Sequence, residues 1–365
     1  MLLKALSHVQ RVVERRNTYP ILANLHLSAG GNGITLRATD LDIEVTESVA
    51  AAVSAPFTTT VPASTLYDIV RKFSDGSEVT IEYVDENNAG VRSARSRFNL
   101  ATLNPDSFPD LKSGTFETEF SIVAADLLGL LQRTQFAISS EETRYYLNGI
   151  FLHTIDVGQG RVLRAVATDG HRMARTEIAA PNGCGEFPGI IVPKKTIGEL
   201  IKLLDGHSGE VNVEISTTKI RVTVGEVLLL SKLIEGTFPD YDRVTPKNND
   251  KVLVANRKAL EIMADRVGTI ASDRGGKAVK LTATKDSLKA SVVNADHGEA
   301  TEDMSVVFDD DPFEIGFNSR YLGDVLREVS GDDVQFKFSD AGSPTLISAP
   351  GDNSTIMVLM PMRVS

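Results

Sequence analysis

The stretch TVPASTLYDIVRKFSDGSEVTIEY, Thr60–Tyr83, decides how this chain is built, because it returns twice. Its second copy is IVPKKTIGELIKLLDGHSGEVNVEI, Ile191–Ile215, and its third is GFNSRYLGDVLREVSGDDVQFKF, Gly316–Phe338. Each copy reads as a strand end, a polar cap, an amphipathic helix, a glycine turn and an alternating strand. Two further markers recur in register: FPDL at Phe108 with FPDY at Phe238, and ATDLDIEV at Ala38 with ATDGHRMAR at Ala167 and, loosely, NADHGEATEDMSV at Asn294. Three markers in one order imply three copies of one domain. Repeated units of this size build arcs, rings or rods.

Working outward, 365 residues suffice for three such domains, each with its own core. The Phe-Pro-Asp turns place them at 1–116, 117–243 and 244–365. Each is expected to hold two helices and six to eight strands, an α+β class with antiparallel sheets. A helix of about 15 residues is expected at the start, with Leu2, Leu3, Leu6, Val9, Val12 and Val13 on one buried face. Second helices are expected from Ser64 to Phe73, from Thr196 to Leu204, and from Ser319 to about Val329. The single cysteine, Cys184, excludes an intrachain disulfide and fits a reducing compartment. No apolar run is long enough to span a membrane, and the first residues lack the order of a signal peptide, so a cytoplasmic protein is expected.

The net charge of −11 argues against a protein that coats itself with nucleic acid. Its distribution says more. Lys4, Arg11 and Arg15 are spaced to share one face of the first helix. Lys195 and Lys202, and Arg320 and Arg327, are seven apart on second helices. Arg71 and Lys72 end another, and Arg133 and Arg266 lie on opening helices. For any one helix the plain reading is a solvated face. Cations on all six equivalent helices of an acidic chain point instead to one positive surface. Such a surface would bind phosphates without reading bases.

Catalytic signatures are lacking. The string DRGGKAV is not a Walker loop, no HExxH occurs, and no cysteine cluster could hold zinc. Asp169 and His171 in ATDGHRMAR invite an acid/base or metal reading, but ATDLDIEV in the first copy lacks the histidine. A strand turn, with Gly170 at the bend, is the competing reading. No catalytic residue, metal or cofactor is expected.

The strings RYYLNGIFL at Arg144, ATDGHRMA at Ala167, FPDYDRVTP at Phe238 and the terminal VLMPMRV closely resemble the bacterial DNA sliding clamps, the beta subunit of DNA polymerase III. The resemblance spans nearly the whole chain. It implies a non-catalytic processivity factor, a head-to-tail homodimer closed into a ring around duplex DNA. Its partners would be the replicative polymerase, the clamp loader, and other polymerases and repair proteins, with no membrane involved. It also implies a pocket for short peptides of the glutamine-leucine-x-leucine-phenylalanine type. The matching positions are Leu147, Thr168, Gly170, His171, Arg172, Met173, Pro239, Arg243, Val244, Val358, Met360, Pro361, Met362 and Arg363, with Arg172 and Arg243 as polar anchors at the rim. DNA contacts carry over to Arg16, Tyr145, Tyr146, Lys194 and Lys195, beside the helix cations Lys4, Arg11 and Lys202. Glu141 stands where well-studied members have a neutral amide and is left out of that set. The subunit interface would hold Arg95, Arg97, Phe98 and Leu100 on one side, and Ile270, Glu299 and Glu302 on the other. Family chains begin with a short strand before the first helix, whereas this sequence opens at MLLKAL. An unpaired sheet edge and a less stable fold are therefore expected in domain one. The alternatives are an enzyme built on Asp169 and His171, and a peptide-binding scaffold without a DNA role.

Overall fold

A computed structural model describes residues 1–14, 18–112, 114–158, 160–271 and 278–364. The first domain runs α1 (Leu2–Val9), β1 (Asn24–Gly30), β2 (Gly33–Thr39), β3 (Ile43–Ala50), β4 (Phe57–Pro62), α2 (Ala63–Val70), β5 (Thr80–Asp85), β6 (Asn88–Ser93) and β7 (Ser96–Ala101). The second runs β8 (Thr118–Val123), α3 (Ala124–Gln135), β9 (Gly149–Val157), β10 (Gly160–Thr168), β11 (Arg172–Ala179), β12 (Ile190–Pro193), α4 (Lys194–Leu204), β13 (Glu210–Ile215), β14 (Lys219–Val224) and β15 (Val227–Lys232). The third runs β16 (Lys251–Asn256), α5 (Arg257–Gly268), β17 (Ala278–Thr284), β18 (Ser287–Asn294), β19 (Gly298–Ser305), β20 (Phe313–Asn318), α6 (Ser319–Glu328), β21 (Asp333–Phe338), β22 (Thr345–Ser348) and β23 (Thr355–Leu359).

The opening helix is shorter than its periodicity predicts. It stops at Val9, and Arg11 stands on an exposed turn beyond it rather than on a face shared with Lys4. Val12 is fully buried from that turn, so the apolar spacing continues after the helix has ended. Valine loses rotamer freedom in a helix, and burial outside one overrides the pattern. Arg15 and Arg16 lie outside the described residues.

The repeat and the packing unit are offset. One compact unit comprises Met1–Leu128, Pro181–Gly185 and Lys195–Leu233, and the other Gly129–Ala180, Glu186–Lys194 and Ile234–Ser365. The reason is hydrogen bonding across repeat boundaries. One eight-stranded sheet has the order β4-β1-β2-β3-β15-β14-β13-β8, and the other β12-β9-β10-β11-β23-β22-β21-β16. The domain-one strand β3 pairs with β15 of domain two, Val45 opposite Leu229. The domain-two strand β11 pairs with β23 of domain three, Ala174 opposite Met357. Two smaller sheets remain, β19-β18-β17-β20 and β5-β6-β7. Their outer strands β19 and β7 hold the repeat positions of β3 and β11, and of β15 and β23, yet neither is paired on that side among the described residues.

The open edge expected in domain one falls at β5. Its counterparts β13 and β21 are flanked on both sides, by β14 and β8 and by β22 and β16, whereas among the described residues β5 pairs with β6 alone. Val211, Val213 and Ile215 are buried, as are Val334, Phe336 and Phe338. The equivalent Val79 and Ile81 are half-buried and Tyr83 is exposed. No helix among the described residues is long and apolar enough to cross a membrane.

Candidate peptide site and nucleic-acid face

The expected peptide positions gather in the second compact unit. Three antiparallel strands supply the floor. Register puts Gly149 near Thr168 and Met173, then Phe151 opposite Val166 and Val166 opposite Arg175, then His153 opposite Arg164 and Arg164 opposite Glu177. Met173 faces Val358 of the last strand. Leu147, Val166, Met173, Ile191, Phe238, Tyr241 and Val358 form one buried apolar cluster, with Tyr146, Phe151 and Ile234 packed against it. Around it stands an exposed rim of Pro239, Arg243, Val244 and Met360, with Val244 52% and Met360 39% exposed. A buried apolar floor with flexible methionine and branched side chains above it suits varied apolar peptides.

The tail is held by backbone. Met360 N–H donates to His171 O at 2.9 Å, and Met362 N–H to Gly316 O at 2.8 Å. Gly316 is needed there, since a Cβ would sit 2.5 Å from Met362 O. Pro361 is half-buried between them and Arg363 is exposed.

The ATDGHRMAR turn is a closed hydrogen-bonded device. Asp169 Oδ1 accepts from the N–H groups of His171 and Arg172, at 2.9 and 3.0 Å. Thr168 Oγ1 donates to Arg172 O at 2.8 Å and accepts from Gly170 N–H. Gly170 has φ +87°, a left-handed conformation that glycine adopts at least cost. Asp169 is thus consumed by the turn, and His171 is exposed and stacked on Tyr321.

Arg172, expected as a polar anchor at the rim, is engaged within the chain. Its guanidinium donates to Asp169 at 3.1 Å and to Asp324 of α6 at 2.5 Å, and it lies 4.3 Å from the Tyr321 ring centroid. With both carboxylates satisfied, it pins the turn to α6. Arg243 is the freer cation, exposed and paired only with Asp240 at 2.9 Å.

Two residues of FPDY that were not among the expected positions, Phe238 and Tyr241, build part of this cluster. Phe238 stacks on Phe151 with centroids 4.9 Å apart and planes 4° apart. The Tyr241 hydroxyl meets His153 Nε2 and Arg164 Nη1, each at 2.9 Å. Recurrence of the turn was the available signal, but its partners lie about 80 residues away on β9 and β10.

Comparison with known proteins now bears on this geometry. Models of the N-terminal, central and C-terminal domains of the DNA polymerase III beta subunit match residues 1–112, 122–240 and 242–363. The chain belongs to the DNA polymerase III beta subunit family, the sliding clamps. It is 44% identical over 364 residues to the beta sliding clamp of Caulobacter vibrioides, covering 100% of this chain and 98% of that one. It is 36% identical to the Escherichia coli clamp over the same coverage. The crystal structure of a sliding clamp from Bartonella birtlesii bound to griselimycin is 47% identical, with a TM-score of 0.96, covering 100% of this chain and 97% of that one. Sliding clamps are processivity subunits of the polymerase and carry no catalytic activity of their own, which removes the acid/base reading of Asp169 and His171.

The expected DNA positions of this clamp differ in how free they are. Lys4 and Arg11 are exposed. Lys194 donates to Ser140 Oγ at 3.0 Å. Lys195 is not a free ammonium: it is tied to Asp40 and to Glu14, the latter at 3.0 Å. Lys202 is bridged to Glu199 at 2.7 Å. Tyr145 is exposed and Tyr146 half-buried, their rings edge to face at 5.8 Å. Glu141 accepts from Arg144 Nε at 2.7 Å and from Thr143, and the Arg144 hydrogen bond holds its carboxyl below the usual range. The Arg144 guanidinium therefore offsets the charge of the Glu141 carboxylate.

Most of the expected interface residues lie on or beside β7 and β19, whose outer edges are unpaired among the described residues, and Ile270 lies in the turn after α5. Arg95, Arg97 and Phe98 are exposed on or beside β7, and Phe98 packs 6.1 Å from Phe73. Leu100 is 7% exposed and turned into its own domain, so Phe98 is the more available apolar group. Glu299 is exposed on β19, Glu302 accepts from Arg266 at 3.0 Å, and Ile270 is half-buried with its carbonyl bound by Asn294.

Proposed function

We propose that two copies of this chain close head to tail, β7 of one protomer adding to β19 of its partner, into a ring that encircles duplex DNA in the cytoplasm. The observation that carries the reading is the strand rule inside the chain. Twice, the third strand of one repeat pairs with the last strand of the next, β3 with β15 and β11 with β23. A third application needs a second copy, and a head-to-tail contact closes when its rotation is a half turn. Phe98 and Ile270 supply the apolar centre, flanked by Arg95 and Arg97 on one side and Glu299 and Glu302 on the other.

Arg16, Lys4, Arg11, Tyr145, Tyr146, Lys194, Lys195 and Lys202 face the DNA in this reading. Carboxylates already pair with two of these cations, Lys195 and Lys202, so fewer phosphates are held firmly and the ring slides. Retention is then topological. The surface of Leu147, Thr168, Gly170, His171, Arg172, Met173, Pro239, Arg243, Val244, Val358, Met360, Pro361, Met362 and Arg363 receives the clamp-binding peptides of the polymerase, the clamp loader and repair proteins. Tethering raises the polymerase's effective concentration at the primer end.

The test loads the protein on nicked circular plasmid with clamp loader and ATP, removes free protein, and cuts the circle once. Retention on circles and release after cutting is the expected result. Retention on both forms means binding by affinity and overturns the ring. A protein that is never retained but still binds the peptide is a scaffold without a DNA role.

A further inference from the structure

The buried polar groups beneath the peptide site are not explained by apolar recognition. Arg164 is 5% exposed and lies in one cross-strand row with His153 and Glu177. Its Nε donates to Glu177 Oε2 at 2.6 Å and its Nη1 to the Tyr241 hydroxyl oxygen at 2.9 Å. A guanidinium only donates, so the phenol must accept from it and spend its own proton elsewhere. The one other partner shown for that hydroxyl is His153 Nε2, at 2.9 Å. The opposite ring nitrogen, Nδ1, lies 3.3 Å from the Thr154 carbonyl, which only accepts. One protonation pattern satisfies all of these contacts: Nδ1 carries the hydrogen, Nε2 is bare, and the imidazole is neutral. Burial lowers the His153 pKa, in agreement with that state.

The geometry points to His153 and Arg164 as positioning residues of the peptide site: neutral His153 fixes the Tyr241 phenol, the Phe238–Tyr241 wall depends on it, and peptide affinity falls when His153 takes a proton. This rests on the peptide reading above. A proton on Nε2 removes the only acceptor shown for the Tyr241 O–H and adds a further buried cation to a cluster that already holds Arg164 and Arg175. The charged and titratable groups facing the ring are Arg164 on β10, Glu177 on β11, and Tyr241 and Asp242 on the turn after FPD. The single carboxylate of Glu177 is already bound to Arg164. Phe151 transmits the disturbance, because it stacks 4.7 Å from His153 on one side and 4.9 Å from Phe238 on the other.

The experiment measures binding of a fluorescent glutamine-leucine-x-leucine-phenylalanine-type peptide to the full chain by anisotropy, from about pH 8 to about pH 5.5. Wild type is expected to lose roughly tenfold in affinity over that range. His153→Gln keeps an acceptor for the phenol but cannot titrate. It should bind within about twofold of wild type at high pH and vary little with pH. His153→Leu should be weak at both ends. His171→Gln, at the exposed rim, should retain the pH slope. Histidine 15N shifts should show Nδ1 protonated, and saturating peptide should lower the His153 pKa further, as linkage requires. A flat wild-type profile, the same slope in His153→Gln, or the opposite tautomer overturns the proposal while leaving the peptide site standing. No binding at pH 8 overturns the peptide reading and this proposal with it.

Discussion

In domain three the strand after the second helix, β21, lies between β16 and β22, and its inward Val334, Phe336 and Phe338 are all buried. In domain one the same repeat position is β5, paired on one edge only, with Val79 and Ile81 half-buried and Tyr83 exposed. The helices differ too. Asn256 and Asn318 cap α5 and α6 through side-chain hydrogen bonds, whereas α1 and α2 follow Met1 and Pro62 without such a cap. The same periodic pattern thus yields a covered strand or an open one, depending on whether a neighbour is hydrogen-bonded beside it. Apolar alternation fixes which side chains point inward, but only the neighbouring strand decides how far they leave water.

The sharpest way to break this comparison is a pair of truncations at one repeat position. Phe336→Ala should cost about 3–5 kcal/mol, as for a fully buried aromatic, and Ile81→Ala no more than about 1 kcal/mol. Chemical denaturation of both variants measures the difference, and equal losses would mean that β5 is as well covered as β21. A smaller contrast lies in the caps. Asn318→Ala should destabilise by about 1 kcal/mol, while Ser64→Ala in α2, where no side-chain cap is present, should change stability little. Hydrogen exchange sharpens both, with Val79–Tyr83 amides expected to exchange faster than those of Val211–Ile215 and Val334–Phe338.

The smallest effect is on pH dependence. Burial lowers the pKa of His26 in β1, with Arg37 adding to it, and burial lowers that of His153 in β9. The folded state binds these protons less readily than the unfolded chain. Each histidine therefore contributes stability above its ordinary value near 6.5, and that contribution is lost as the pH falls from there toward the depressed value. His26→Gln should flatten the acid side of the domain-one unfolding profile. An unchanged slope would mean that His26 is solvated in the folded state.

Much of the architecture was legible before any coordinates. Periodicity placed six helices in register, with ends off by a residue or several, and the largest error was α1, where Val12 is buried outside the helix. The proposed peptide site rests on motif resemblance, because Leu147, Met173 and Val358 come from segments scattered over more than 200 residues and share no local pattern, and Tyr241, which packs with them, was not among the expected positions. Sequence spacing does not reveal that Arg172 pairs with Asp324 on α6.

The sequence by itself determined that three like domains follow one another, that each is α+β, and which family they belong to, because repeats and motifs are local and one-dimensional. The tertiary structure alone decided that hydrogen bonding joins β3 to β15 and β11 to β23, leaving the outer edges of β7 and β19 and one edge of β5 unpaired among the described residues. It alone decided that a tyrosine in a boundary marker completes a buried relay with His153 and Arg164. Hydrogen bonds between distant strands depend on which backbone edges meet in space, and residue order does not encode that choice in any single segment.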